Sequence, residues 1–102
     1  MKKVVLSSDN EAKIYLVPDT VADKLEDYCL DFSIEWIWES PHAAKYRQKI
    51  RGTTAAVYTE QDFIDYLNQW IFPEKPSKLV RGLGCSCEEI PDEYKDLPQS
   101  NF

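Results

Sequence analysis

The stretch Asp19-Thr20-Val21-Ala22-Asp23-Lys24-Leu25-Glu26-Asp27-Tyr28-Cys29-Leu30-Asp31-Phe32-Ser33-Ile34-Glu35-Trp36-Ile37-Trp38-Glu39 decides how this chain folds. Its acids Asp19, Asp23, Asp27, Asp31, Glu35 and Glu39 recur at every fourth position. Residues i and i+4 are neighbours on a helix surface, so this ladder belongs to a helix face. At ~100° per residue, Val21, Leu25, Tyr28, Cys29, Phe32 and Trp36 fall within about 60° of one line, which predicts a core-facing stripe. Thr20 followed by Asp23 resembles a capping box with Asp in place of Glu, placing the helix start after Pro18. A strand competes over residues 32–38, because Phe32, Ile34, Trp36 and Trp38 alternate. The helix is the better reading: its core stripe runs through without a break, and no glycine or proline intervenes before Pro41.

On this helix Leu30, Ile34, Ile37 and Trp38 lie opposite the core stripe, among the acids. An apolar stripe on a charged face calls for a cover. One candidate cover is the chain's own segment 84–102, through Tyr94, Leu97 and Phe102. The other is a protein partner or a second copy. Tryptophan is a favoured anchor in such contacts.

Working outward, residues 2–7 and 12–17 are β-rich and flank the turn-forming Ser8-Asp9-Asn10-Glu11, which predicts an antiparallel hairpin. Ser40-Pro41 has the form of an N-cap followed by proline at the first helical position, opening a short helix through Tyr46. Arg51-Gly52 closes that piece, and 53–58 reads as a third strand. Thr59 with Asp62 repeats the capping pattern, and Phe63, Tyr66, Leu67, Trp70 and Ile71 give a second helix over 60–72 that Pro73 and Pro76 end. Residues 77–83 read as one or two helical turns. The expected fold is α+β: a small two-layer domain in the order β-β-α-(α)-β-α, with a three-stranded, mainly antiparallel sheet packed by two main helices. A single domain spans 1–102, with a body of 1–83 and an acidic, extended C-terminal tail, 84–102, lying on it.

Composition narrows the function. The 43% hydrophobic and 13% aromatic content belongs to a folded chain. A net charge of −6 argues against direct nucleic-acid binding and against anionic membrane surfaces. The opening Met1-Lys2-Lys3-Val4-Val5-Leu6-Ser7-Ser8 has too short an apolar run for a signal peptide, and no stretch approaches a membrane span, so a cytoplasmic location is expected. The three cysteines, Cys29, Cys85 and Cys87, do not form a disulfide framework.

Little catalytic chemistry is visible. The chain has no nucleophile elbow, metalloprotease motif, phosphate loop or dinucleotide fingerprint, and its three glycines cannot build a phosphate cradle. No enzyme activity and no cofactor are therefore expected. Cys85 and Cys87, with Cys29 and the lone His42, are weak metal candidates, because Cys-x-Cys is tighter than the usual two-residue zinc knuckle. Cys29 also sits on the core stripe, where a thiol packs as a small hydrophobe. Lys45, Arg47, Lys49 and Arg51 follow the acidic ladder and are expected to fold back on it.

The opening Met1–Ser8, together with the ending Ile90-Pro91-Asp92-Glu93-Tyr94-Lys95 to Asn101-Phe102, resembles small uncharacterised proteins of gut-dwelling Firmicutes, some carried on mobile elements. That group has no assigned activity, so the resemblance implies no functional residue. The residues themselves point to a binding protein that uses the 20–39 helix. Leu30, Ile34 and Trp38 would anchor a protein partner or a second copy, and Asp27, Asp31 and Glu35 would select it. The alternatives are an acidic mimic of nucleic acid that inhibits a basic protein, and a minor metal role at Cys85 and Cys87.

Overall fold

The computed structural model describes residues 1–8, 11–83 and 91–102. Strands β1 (Lys2–Ser8) and β2 (Glu11–Val17) pair antiparallel, from Lys2 opposite Val17 to Ser8 opposite Glu11. Side chains alternate across this pair. Val4, Leu6, Tyr15 and Val17 enter the main core, while Val5, Ala12 and Ile14 enter a smaller cluster with Leu83, Tyr94 and Leu97. Both faces of β1 are therefore covered, which accounts for its unbroken Val-Val-Leu run.

The sheet has four strands in the order β5-β2-β1-β6, one more than expected and differently recruited. Strand β5 (Lys78–Gly82) pairs antiparallel with β2, in the segment expected to be helical. Two effects favour the strand. Pro73 and Pro76 prevent the preceding helix from continuing. Asn68 then grips Ser77 twice, its Nδ2 donating to the Ser77 carbonyl at 3.0 Å and its Oδ1 accepting from the Ser77 amide at 2.6 Å, which aligns the chain with the β2 edge. Strand β6 (Gln99–Asn101), from the segment expected to be an extended tail, pairs parallel with β1. The expected third strand is instead half of a separate hairpin, β3 (Arg47–Ile50) with β4 (Thr53–Ala56). Its two-residue loop places Arg51 at φ 52° and Gly52 at φ 81°, the left-handed geometry that a tight hairpin turn requires.

The helical layer is less regular than a single coil over 20–39. Helix α1 (Asp19–Asp23) follows Pro18 with no side-chain cap. Thr20 does not cap it, and Asp23 instead accepts from Lys2 Nζ at 2.7 Å. Lys24 (φ −128°, ψ 39°) interrupts the coil, and α2 (Leu25–Leu30) resumes it. Residues Asp31–Trp36 form a wide π-type turn, and α3 (Ile37–Glu39) completes the run. The alternating reading of 32–38 as a strand thus does not hold. The wide turn also corrects the outward stripe. The Ile37 amide reaches back to the Phe32 carbonyl, five residues away, and Ile37 joins Phe32 in the main core. Regular α geometry would swing Ile37 ~140° from Phe32; in the fold both are fully buried.

Ser40 caps the following 3₁₀ segment Pro41–Tyr46 by accepting from the His42 amide at 3.2 Å. Helix α4 (Glu60–Tyr66) begins with the expected box, in which the Thr59 amide donates to Asp62 Oδ2 at 2.9 Å. It ends in a second wide turn, Leu67–Ile71, closed by the Phe72 amide on the Leu67 carbonyl at 2.7 Å. Lys13 Nζ, on β2, binds the buried Glu60 at 2.7 Å and ties the sheet to α4.

The helices meet the sheet around Phe32. Its ring lies 5.2 Å from Tyr66, 5.3 Å from Tyr58, 5.6 Å from Phe63 and 5.8 Å from Trp36, measured between ring centroids. Phe32→Ala is expected to lower unfolding free energy by about 3–5 kcal/mol, whereas Ile34→Ala, two residues away, should cost less than ~0.5 kcal/mol. Urea titration of both variants checks the contrast. Arg51→Asn, placing a residue tolerant of positive φ in the hairpin loop, should stabilise the fold by up to about 1 kcal/mol, read as a higher urea midpoint.

Candidate functional site

The outer surface of α2, the wide turn and α3 carries Leu30, Ile34 and Trp38, which are 45%, 61% and 41% exposed. The segment 91–102 does not cover them. Phe102 packs against the main core, 5.4 Å from the Phe63 ring, and Tyr94 and Leu97 lie on the opposite face of the sheet. The ridge is thus left open by every described part of the chain, apart from a rim contact at Leu30. Ile37, expected to be part of it, belongs to the core.

The acids of this helix fall into two groups. Asp19 binds the N-terminal amine at 2.8 Å, an ion pair and hydrogen bond that hold its carboxyl below the usual range, and Asp23 binds Lys2. These first two rungs are neutralised at the surface, where such pairs contribute little stability. Asp27, Asp31, Glu35 and Glu39 are exposed and form no ion pair among the described residues. The basic run folds back only in part, and onto backbone. Arg47 donates to the carbonyls of Trp38 at 2.9 Å and Ser40 at 3.0 Å, capping the negative end of the helical run. Lys45 Nζ sits 5.0 Å from the centroid of the Tyr46 ring.

The ridge runs between two grooves. One, of about 420 Å³, is lined by Asp31, Glu35, Trp36, Glu39, Ser40 and Tyr66. Its aromatic wall exists because the wide turn leaves Trp36 half-buried, 4.9 Å from the Tyr66 ring of α4. Burial, with the charges of Asp31 and Glu35 nearby, raises the Tyr66 phenol above its ordinary pKa, so it stays neutral. The other groove, about 290 Å³, lies toward β6 and is lined by Glu26, Cys29, Leu30, Ser33, Tyr58 and residues 100–102. Tyr66, Trp36 and Ser40 escape a reading of the ladder alone. Tyr66 stands on the second helix's core stripe, and only the crossing of the two helices brings it beside Asp31 and Glu35.

Of the four metal candidates, only Cys29 and His42 lie among the described residues. Cys85 and Cys87 lie outside the described residues. Cys29 is buried, and its burial pushes the thiol up to about 11, partly offset by a hydrogen bond from Ser100. His42 stacks on Trp70 with centroids 4.2 Å apart. Among the described residues no cluster of three or more histidines, cysteines or carboxylates could hold a metal ion, and no helix is long and apolar enough to cross a membrane. Comparison with protein-family models, with curated proteins and with solved structures finds no match to this chain.

The buried thiol gives two expectations. Native Cys29 should alkylate about a hundredfold more slowly at pH 8 than in the urea-unfolded chain, read by peptide mass spectrometry so that Cys85 and Cys87 are scored separately. The folded state holds this proton to higher pH than the unfolded state, and the raised phenols of Tyr15 and Tyr66 act in the same direction. This stability is intact below the ordinary thiol value of 9.0 and is lost as pH climbs toward about 11, so the urea midpoint should fall across that window.

Proposed function

We propose that this protein works by binding another protein through the outer surface of residues 25–39. Leu30, Ile34 and Trp38 anchor the contact, and Asp27, Asp31 and Glu35 select a basic partner and speed its approach. The observation that carries this reading is the open apolar ridge itself, set among carboxylates that no described cation neutralises. Burying such side chains is favourable by ~1.5–3 kcal/mol each, which supplies affinity, while the acids supply specificity.

Mimicry of nucleic acid uses the same carboxylates but draws less support. The ladder is split between two paired rungs and four unpaired ones, and the wide turn breaks its spacing where the acids are free. A charge mimic also has no use for an exposed tryptophan and isoleucine in the middle of the row.

The test compares immobilised wild-type protein with a Trp38→Ala/Ile34→Ser variant in extracts of the native host, followed by reconstitution with the purified captured protein. Loss of binding by at least about tenfold in the variant, with circular dichroism and melting unchanged, is expected. Equal binding by both would overturn the ridge. Binding that disappears by ~0.5 M salt would transfer the reading to mimicry. Light scattering of the isolated chain identifies a second copy as the partner if the mass is doubled in the wild type alone.

A further inference from the structure

Beside the ridge, the groove of Asp31, Glu35, Trp36, Glu39, Ser40 and Tyr66 carries a phenol with no hydrogen-bond partner among the described residues. Tyr66 is only 6% exposed, and its hydroxyl makes no hydrogen bond to any described residue. A phenol this deeply set ordinarily finds a partner. Here the ring is fixed by Trp36 at 4.9 Å and Phe32 at 5.2 Å, and Tyr66 lines the groove together with Asp31 and Glu35.

We propose that this groove receives an arginine side chain presented by the protein partner, its guanidinium lying on the Trp36–Tyr66 wall. The inference rests on the ridge being a protein-binding surface and names the chemistry recognised at its edge. Three properties of the groove choose arginine. Its carboxylates do not converge on one point as metal ligands would. They are spread along the wide turn and α3, which suits a planar cation with five donors. An aromatic wall below them favours a flat, weakly hydrated cation that stacks, which guanidinium is and ammonium is not. Finally, the neutral phenol offers an oxygen that a guanidinium N–H can donate to, completing a set with Asp31 and Glu35 as acceptors. Arg47 does not fill this role, since its guanidinium is committed to the carbonyls of Trp38 and Ser40.

The experiment titrates the ¹⁵N-labelled full chain with N-acetyl-arginine amide and, separately, with N-acetyl-lysine amide. The arginine probe should give saturable shifts in the low millimolar range, centred on the Trp36 indole N–H and the amides of 31–40. The lysine probe should bind at least about fivefold more weakly. Tyr66→Phe, which keeps the ring, should weaken arginine binding by about two- to fivefold, and Asp31→Asn/Glu35→Gln should abolish it. No saturable shift, or shifts unchanged in the double variant, would overturn the proposal; equal binding of lysine would overturn the guanidinium assignment. Failure here with Trp38-dependent capture intact removes only the arginine pocket. Arginine binding without Trp38-dependent capture removes only the ridge.

Discussion

The structure depends on where Phe32 is placed. This one ring is fully buried and lies against Trp36, Tyr46, Tyr58, Phe63 and Tyr66, as well as Phe102 beyond β6. Edge-to-face and tilted aromatic contacts of this kind add about 0.5–1.5 kcal/mol each beyond the area they bury. They also fix direction, because each ring's orientation constrains the next. The two helical runs, the segment after β4 and the strand β6 are thereby set against one another by a single residue.

Seating Phe32 has a cost that the backbone absorbs. Its chain neighbours include apolar residues four and five positions on, Trp36 and Ile37, and one regular turn cannot aim both inward. The wide turn admits an extra residue, buries Ile37 and leaves Trp36 at the margin. The groove wall and the loosened spacing of Asp31 and Glu35 follow directly from that accommodation. Wide turns are uncommon and are frequent at functional sites, because they hold side chains that a uniform coil would place elsewhere.

Sequence reading recovered what local chemistry determines. The first hairpin, the Thr59–Asp62 box, the Ser40 cap and the helical nature of residues 25–39 all rest on interactions spanning a few residues. The same reading assigned Val21, Leu25, Cys29 and Phe32 correctly to the core. It failed where a distant partner decides. Residues 78–82 carry no decisive pattern of their own and become a strand because β2 offers an edge and Asn68 delivers Ser77 to it. Residues 99–101 are polar and become a strand through β1. A fixed angular step per residue misplaces Ile37, because it does not describe a turn that widens. The helical spacing of Tyr66 marks it as core, but its place beside the acids is a product of two helices crossing.

The parallel pairing of β1 with β6 joins positions at opposite extremes of the numbering: Ser7 Oγ meets Asn101 across 94 residues of separation. Closing so long a loop is entropically slow, although each doubling of its length adds only ~0.6 kcal/mol. During synthesis, β1 emerges well before β6 and must wait for its neighbour. Until residues 99–102 are available, one edge of β1 stays open and the Phe32 cluster lacks one of its rings. The nascent polypeptide therefore exposes a Val-Val-Leu strand edge until β6 emerges, the kind of surface that holding chaperones recognise and that promotes aggregation when they are scarce.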